Sequence, residues 1–307
     1  MTRVAVTGAT GTIGRALCAA LVQRGDEVVA LTRDPQRARS VLGERVETAA
    51  WGNPTEEAPP LEALTRAEAV VNLLGERLDQ RWTEQAKAKI RNSRVLGTRL
   101  LVQALGQLPS DRRPSILVSQ SASGFYGPSD DRELDESAPP GSDFLASVVS
   151  AWEAEAAAAE SMLRVVRTRT GVVLSSEGGA LARMLPAFRA GIGGPVAGGG
   201  QYVPWIHLDD AVAALVFAIE EQALAGAVNL TAPNPVTNAE LSYALGRVLH
   251  RPAVVPVPGL ALRLLYGEMA EVVTTGQRVV PARLAQLGFE FAHPLIEPAL
   301  RDALSRT

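Results

Sequence analysis

The sequence predicts an α/β fold: a doubly wound parallel sheet with a smaller, mainly helical C-terminal lobe. Three observations predict it. Apolar β-type runs alternate with helix-like segments through the first half of the chain, the pattern of a parallel sheet with helices on both faces. The chain opens on a strand, a glycine-rich turn and an amphipathic segment. After about residue 170 glycine and proline become dense, and the remainder reads as helices split by Pro252, Pro256, Pro258 and Pro281.

The strands are expected at Val4–Thr7, Glu27–Leu31, Val46–Ala50, Ala69–Leu74, Ser115–Ser119 and Leu163–Arg169. Most are continuous apolar runs, as strands buried on both faces should be. Between them Ile13–Arg24, Pro35–Leu42, Thr83–Leu108 and Phe144–Met162 read as helices, the last carrying a strongly helix-forming alanine run. The cluster Gly191, Gly193, Gly194, Pro195, Gly198, Gly199, Gly200 reads as a loop around a ligand cleft. Leu208–Glu221 follows as a helix with Asp209 and Asp210 in its first turn, where acids suit the helix dipole. Ala227–Leu230 reads as a strand, and helices follow from Thr237. This divides the chain into a dinucleotide-binding domain, residues 1–170 and 205–232, and a substrate-side lobe, residues 171–204 and 233–307.

Composition removes several classes of function. The 307 residues hold 30 basic and 33 acidic side chains, so no basic footprint for nucleic acid exists. No run approaches the ~18 uncharged apolar residues of a membrane span, and no signal peptide is expected. The single cysteine, Cys18, points to a reducing compartment, and the expected location is cytoplasmic. The three histidines, His207, His250 and His293, are far apart in sequence, so no metal site is expected.

The opening segment reads Val4-Ala5-Val6-Thr7-Gly8-Ala9-Thr10-Gly11-Thr12-Ile13-Gly14. Gly8 allows a tight turn, Gly11 lets backbone approach a pyrophosphate, and Gly14 lets the helix pack on the strand. The pyrophosphate then sits on the N–H groups of the helix N-terminus. At the end of the second strand an acid would accept the ribose 2′-hydroxyl of NAD. This chain has Leu31-Thr32-Arg33 there. A guanidinium suits a 2′-phosphate, so NADP(H) is expected on Thr32 and Arg33, with Arg15 close by.

These residues resemble the short-chain dehydrogenase/reductase superfamily in its extended, epimerase-like form. Val71-Asn72-Leu73-Leu74-Gly75-Glu76, Arg81-Trp82-Thr83, Ser93-Arg94-Val95-Leu96-Gly97-Thr98, Phe125-Tyr126-Gly127 and Trp205-Ile206-His207-Leu208-Asp209-Asp210 stand in the order of one atypical subgroup. Its members are usually called NAD-dependent epimerase/dehydratase, or epimerase family proteins. Ala232-Pro233-Asn234-Pro235-Val236 through Pro281-Ala282-Arg283-Leu284 is similar to that subgroup's C-terminal domain of unknown function. The resemblance covers essentially the whole chain and implies a Rossmann fold with a bound dinucleotide. The expected cofactor-binding residues are Gly8, Thr10, Gly11, Thr12, Ile13, Gly14, Thr32, Arg33, Trp51, Leu73, Leu74, Gly75 and Arg94.

Extended members of the superfamily use Ser/Thr, Tyr and Lys, the last two spaced Y-x-x-x-K. This chain lacks that pair: its lysines, Lys87 and Lys89, precede all four tyrosines, Tyr126, Tyr202, Tyr243 and Tyr266. With Glu153 as anchor, the tyrosine position falls on Leu145 and the lysine position on Val149. Ser121 matches the catalytic Ser/Thr position, and Tyr126 is the nearest phenol; both are the catalytic candidates. Packing in a Phe-Tyr-Gly turn is the other role open to Tyr126. Arg94 can neutralise an anion or pair with an acid. Glu76 either faces the cofactor or is solvated. His207 reads either as a proton shuttle beside two acids or as a structural tie at a helix start, the role its segment has in the superfamily. The four tryptophans either line a pocket for a flat substrate or pack in the core. The expected partner is a small molecule, and the long helices at 83–108 and 144–162 offer faces for a homodimer. Three functions are carried forward: an NADP(H)-dependent oxidoreductase or epimerase-like enzyme, a non-catalytic NADPH-binding sensor or scaffold, and a strict nucleotide-sugar epimerase. The last needs the absent tyrosine base.

Overall fold

A computed structural model describes residues 2–305. The strands are β1 (Arg3–Thr7), β2 (Glu27–Thr32), β3 (Val46–Ala50), β4 (Ala69–Asn72), β5 (Ile116–Ala122), β6 (Glu133–Leu134), β7 (Arg164–Thr170), β8 (Val172–Leu174), β9 (Tyr202–Val203), β10 (Trp205–His207), β11 (Gly226–Leu230), β12 (Val236–Thr237) and β13 (Arg278–Val279). The helices are α1 (Thr12–Gln23), α2 (Pro35–Leu42), α3 (Leu61–Thr65), α4 (Glu84–Gln107), α5 (Phe144–Ala157), α6 (Gly179–Arg189), α7 (Leu208–Glu220), α8 (Asn238–Leu249), α9 (Gly259–Tyr266), α10 (Glu271–Thr274), α11 (Ala282–Gln286) and α12 (Ile296–Ser305).

Seven strands form one sheet in the order β11-β7-β5-β4-β1-β2-β3, and every pairing in it is parallel. Strand alternation divides its side chains between two apolar layers. Val4, Val6, Val28, Ala30, Val71 and Val118 pack with α1 and α7 on one face. Ala5, Val29, Leu31, Val70, Leu117 and Val165 pack with α3, α4 and α5 on the other. A third core joins α6, α8 and α12 through Leu181, Leu185, Phe188, Leu241, Leu245 and Leu300, with Trp205 from β10. This core belongs to the smaller, mainly helical C-terminal part. Among the described residues no helix is long and apolar enough to cross a membrane.

Several boundaries shift by a residue or so, and three by more: the strand expected over Ser115–Ser119 runs Ile116–Ala122, so Ser121 lies within it. The strand expected over Ala69–Leu74 ends at Asn72, because the chain bends there to lay the Leu73 carbonyl against the Gly8 turn. The helix expected over Phe144–Met162 ends at Ala157. Helix propensity favours continuing, but Ala159 is buried with Ala156 and Leu117, and the Ala159 carbonyl accepts Met162 N–H and Leu163 N–H to turn the chain into β7.

Candidate active site at the carboxyl edge of the sheet

The Gly8 turn and α1 form a preorganised anion cradle. Gly8 has φ +63° and lies so close to β4 that a Cβ would sit 2.3 Å from the Leu73 oxygen. A Cβ on Gly14 would sit 2.4 Å from the Gly8 oxygen, so only glycine lets α1 start against the turn. Gly11 is the N-cap of α1 and provides no side-chain cap, and the first turn holds no acid. The leading N–H groups of α1 and its positive dipole end are thus left to an external anion. Thr10 and Gly11 are exposed, and Thr12 and Ile13 half-buried.

A second glycine pair crosses over this cradle. A Cβ on Gly178 would meet Thr12 Oγ1 at 2.5 Å. The loop after β8 therefore lies on the start of α1, and Glu177 in it accepts from Arg15 at 3.1 Å. Sequence reasoning missed this loop; its signal was the Gly178-Gly179 pair following β8. Arg15 spends its guanidinium on that exposed pair.

At the end of β2, Arg33 is exposed and Thr32 half-buried. Among the described residues Arg33 makes no hydrogen bond or ion pair, whereas Thr32 Oγ1 bonds within its own turn to Asp34. Asp34 faces the next helix, accepting from Arg37 N–H as the N-cap of α2. Trp51 corrects an expectation. It lies in the apolar layer, 2% exposed, with its indole N–H donated to the Glu57 carbonyl at 2.8 Å, so its ring is core rather than an open face for a ligand.

The loop after β4 is held from beneath. Leu73 and Leu74 are half-buried and Gly75 is exposed. Arg94 donates to the Glu76 and Ile90 carbonyls at 3.0 and 3.1 Å, and its guanidinium lies 5.3 Å from the Trp152 ring centre. Burial lowers its pKa to about 10, which leaves it charged at neutral pH. The Gly75 Cα passes so near that a Cβ would meet Arg94 Nη2 at 3.0 Å. Glu76 donates its backbone N–H to Ser93 Oγ at 2.9 Å. Arg94 is thus a brace for the loop.

Deeper still, Asn72 ties three strands together. It accepts from Thr7 Oγ1 at 2.8 Å and donates to Thr98 Oγ1 at 3.0 Å and Ser119 Oγ at 3.4 Å. Trp152 Nε1 donates to the same threonine at 2.9 Å. These buried polar groups are satisfied by one another, which fixes the strand ends that carry the site.

Ser121 and Tyr126 belong to a second buried network. Ser121, 1% exposed, donates to Glu153 Oε1 at 2.6 Å. Arg169 clamps the same carboxylate with Nε at 2.8 Å and Nη2 at 3.0 Å. Arg169 Nη1 also donates to Tyr126 Oη at 3.0 Å, and the phenol donates to Asn229 Oδ1 at 2.6 Å. The guanidinium lies 3.5 Å from the Phe125 ring centre. Of the two roles open to Tyr126, packing in the Phe-Tyr-Gly turn agrees with its surroundings: it is 5% exposed, and its proton is already donated. Leu145 packs 3.5 Å from the position a Gly124 Cβ would take, and Val149 is buried. Sequence reasoning used Glu153 only as an anchor and missed Arg169 and Asn229 as its partners.

Burial pushes the Tyr126 phenol above its ordinary value, and nearby Arg169 opposes the shift only in part. A folded-state value above the unfolded ~10 means the neutral phenol's contribution is complete below that pH. It is lost as pH climbs through the raised value. The phenolate absorbance of wild type minus Tyr126→Phe is expected to rise at higher pH than a free tyrosine. A difference curve at the ordinary pH would contradict the network.

The sequence expectation that no histidines gather is corrected for two of the three. His207 and His293 lie with ring centres 3.9 Å apart. His207 caps α7, its Nδ1 accepting Asp209 N–H at 3.2 Å, which agrees with a structural tie at a helix start.

Comparison with known proteins accords with this architecture. Residues 4–230 match the model of the NAD dependent epimerase/dehydratase family, and residues 257–303 match a domain of unknown function, DUF1731. The chain is 42% identical to epimerase family protein Mb2239 of Mycobacterium bovis, over 99% of this chain and 98% of that one. It is 40% identical to the chloroplastic SDR39U1 homolog of Arabidopsis thaliana, over 97% of this chain and 85% of that one. A crystal structure of human epimerase family protein SDR39U1 (isoform 2) with NADPH superposes with a TM-score of 0.89 at 34% identity, covering 99% and 100% of the two chains. A seven-stranded parallel sheet, a glycine cradle at its carboxyl edge and these matches lead to one assignment: the chain belongs to the NAD dependent epimerase/dehydratase family.

Proposed function

We propose that this protein binds NADP(H) and acts as an atypical short-chain dehydrogenase/reductase, an oxidoreductase or epimerase-like enzyme on a small carbonyl or hydroxyl compound. The observation that carries the cofactor choice is Arg33, exposed and without an ion-pair partner among the described residues at the end of β2, where NAD-selective sites place an acid. The NADPH in the human relative's crystal structure supports the same choice.

The cradle residues Gly8, Thr10, Gly11, Thr12, Ile13 and Gly14 hold the pyrophosphate, and Thr32 and Arg33 hold the 2′-phosphate. NADP(H), when bound, supplies or accepts the hydride. The chain's own work is placement. Leu73, Leu74 and Gly75, braced by Arg94, form the wall after β4. Ser121 and Tyr126 act through the Glu153–Arg169 network, which sets the end of β5 and the turn at Ser123–Tyr126; they are positioning residues. The Gly191–Gly200 segment and the C-terminal part, residues 171–204 and 233–307, form the substrate side.

A second reading has its own observation. On the superfamily's spacing Leu145 and Val149 fall at the tyrosine and lysine positions, and the Ser121 and Tyr126 hydroxyls are held in a buried network. That favours a protein that binds NADPH without turnover, as a sensor or scaffold. The two separate on hydride transfer. The enzyme reading expects stereospecific deuterium transfer from 4-deuterated NADPH to a member of a broad carbonyl panel. It further expects Ser121→Ala to slow transfer at least tenfold with NADPH affinity unchanged. Tight NADPH binding with no transfer anywhere on the panel supports the sensor instead.

A further inference from the structure

We propose that Glu136 is a positioning residue: it fastens the C-terminal segment 278–283 to the Ser121–Tyr126 network, and so couples the domain of unknown function to the carboxyl edge of the sheet. The inference rests on the reading above, in which that edge faces the reacting groups. β6 and β13 pair in parallel, Glu133 with Arg278 and Leu134 with Val279. Val280 N–H donates to the Leu134 carbonyl at 3.0 Å. Leu134 and Val279 pack with Tyr126 in one small buried cluster. A segment from the region matched to the domain of unknown function is therefore built in beside the phenol.

Glu136, just past β6, makes the polar join. Its Oε1 accepts Asn229 N–H at 3.0 Å, and both carboxylate oxygens accept Arg283 N–H at 3.3 Å. Its backbone carbonyl accepts from Arg169 Nη1 at 3.3 Å. Asn229, fully buried, donates Nδ2 to the Val280 carbonyl at 2.9 Å, while its Oδ1 takes the Tyr126 proton at 2.6 Å. The two groups that hold the phenol, Asn229 and Arg169, are thus both bonded to Glu136. Arg283 Nη1 donates to the Ala227 carbonyl at 2.9 Å, which anchors the same C-terminal segment on β11. A carboxylate suits the place, because it offers acceptors only and its partners from β11 and α11 are backbone N–H donors. Groups satisfied in this way hold one arrangement, so the C-terminal segment sets where Asn229, Arg169 and the end of β5 lie.

The test compares full-length wild type, Glu136→Ala, Glu136→Gln and Arg278→Ala, each loaded with NADPH. Arg278→Ala removes an exposed ion pair to Glu133 in the same strand pair and controls for docking in general. The first readout is the Tyr126 phenolate absorbance, taken against a Tyr126→Phe background. Burial raises this phenol; of the charged groups that face it, Arg169 opposes the shift and Glu136 adds to it. Glu136→Ala is expected to bring the transition down toward that of a free tyrosine, Glu136→Gln part of the way, and Arg278→Ala not at all. The second readout is deuteride transfer from 4-deuterated NADPH to the carbonyl panel. Glu136→Ala is expected to lower kcat at least tenfold with KM and NADPH affinity unchanged. Glu136→Gln, which keeps one acceptor oxygen and folds where alanine fails, should recover most of that rate. Transfer to no panel member by wild type ends the enzyme reading, and the Tyr126 titration then decides the coupling by itself. The proposal is overturned by Glu136 variants whose Tyr126 titration overlays wild type, by a wild-type rate in Glu136→Ala, or by an equal shift in Arg278→Ala.

Discussion

Glu153→Ala is expected to cost about 3–5 kcal/mol of folding stability, the range for removing one partner of a buried ion pair. Arg169 is 5% exposed, and its guanidinium directs Nε and Nη2 into the Glu153 carboxylate at 2.8 and 3.0 Å. Without that carboxylate a buried cation remains between the Phe125 ring and the Tyr126 hydroxyl, and Ser121 loses its acceptor. The loss is far greater than for a surface pair such as Arg99–Glu155, worth up to ~1 kcal/mol at most. Urea unfolding of wild type, Glu153→Ala and Arg99→Ala measures both. A joint Glu153→Leu, Arg169→Met variant is expected to recover most of the loss, since the charge that needed a partner is gone. A loss below about 1 kcal/mol in Glu153→Ala would contradict the account of this network.

Gly8→Ala is expected to lose stability and cofactor together, whereas Gly11→Ala separates the two. An L side chain at φ +63° costs about 1–2 kcal/mol, and forcing a Cβ to within 2.3 Å of the Leu73 oxygen adds about 1–3 more. The obstacle is backbone, so relief moves the end of β4 and the cradle with it. At Gly11 a Cβ would approach the Gly8 oxygen at 3.3 Å, without positive φ. That variant should fold with wild-type stability to within about 1 kcal/mol yet bind NADPH at least tenfold more weakly, because the added methyl faces the anion. Thermal unfolding and an NADPH titration on each variant check the pair. Full NADPH affinity in Gly8→Ala would refute the cradle.

The order of elements was legible because buried parallel strands are continuous apolar runs. The phosphate turn was legible because only glycine tolerates its contacts, so the chemistry leaves a short, local trace at Gly8, Gly11 and Gly14. What sits beneath the site left no such trace. Tyr126, Glu153, Arg169 and Asn229 come from four segments spread over more than 100 positions. Each alone is an ordinary polar residue; only strand order, with β7 between β5 and β11, makes them neighbours. The same holds for His207 and His293, which distance in sequence had seemed to keep apart. Trp51, which the resemblance put at the cofactor, lies 2% exposed in the same apolar layer as Leu31, Leu64 and Leu101, a burial that its sequence neighbours do not reveal.

The most direct test of the central claim is a paired titration of the purified protein with NADPH and NADH, followed by tryptophan fluorescence. The ligands differ only in the 2′-phosphate, so their affinity ratio reads Arg33. A preference for NADPH of tenfold or more, about 1.4 kcal/mol, is expected, with its loss or reversal in Arg33→Asp. Equal or tighter NADH binding by wild type, or an Arg33→Asp protein that keeps the NADPH preference, would contradict it.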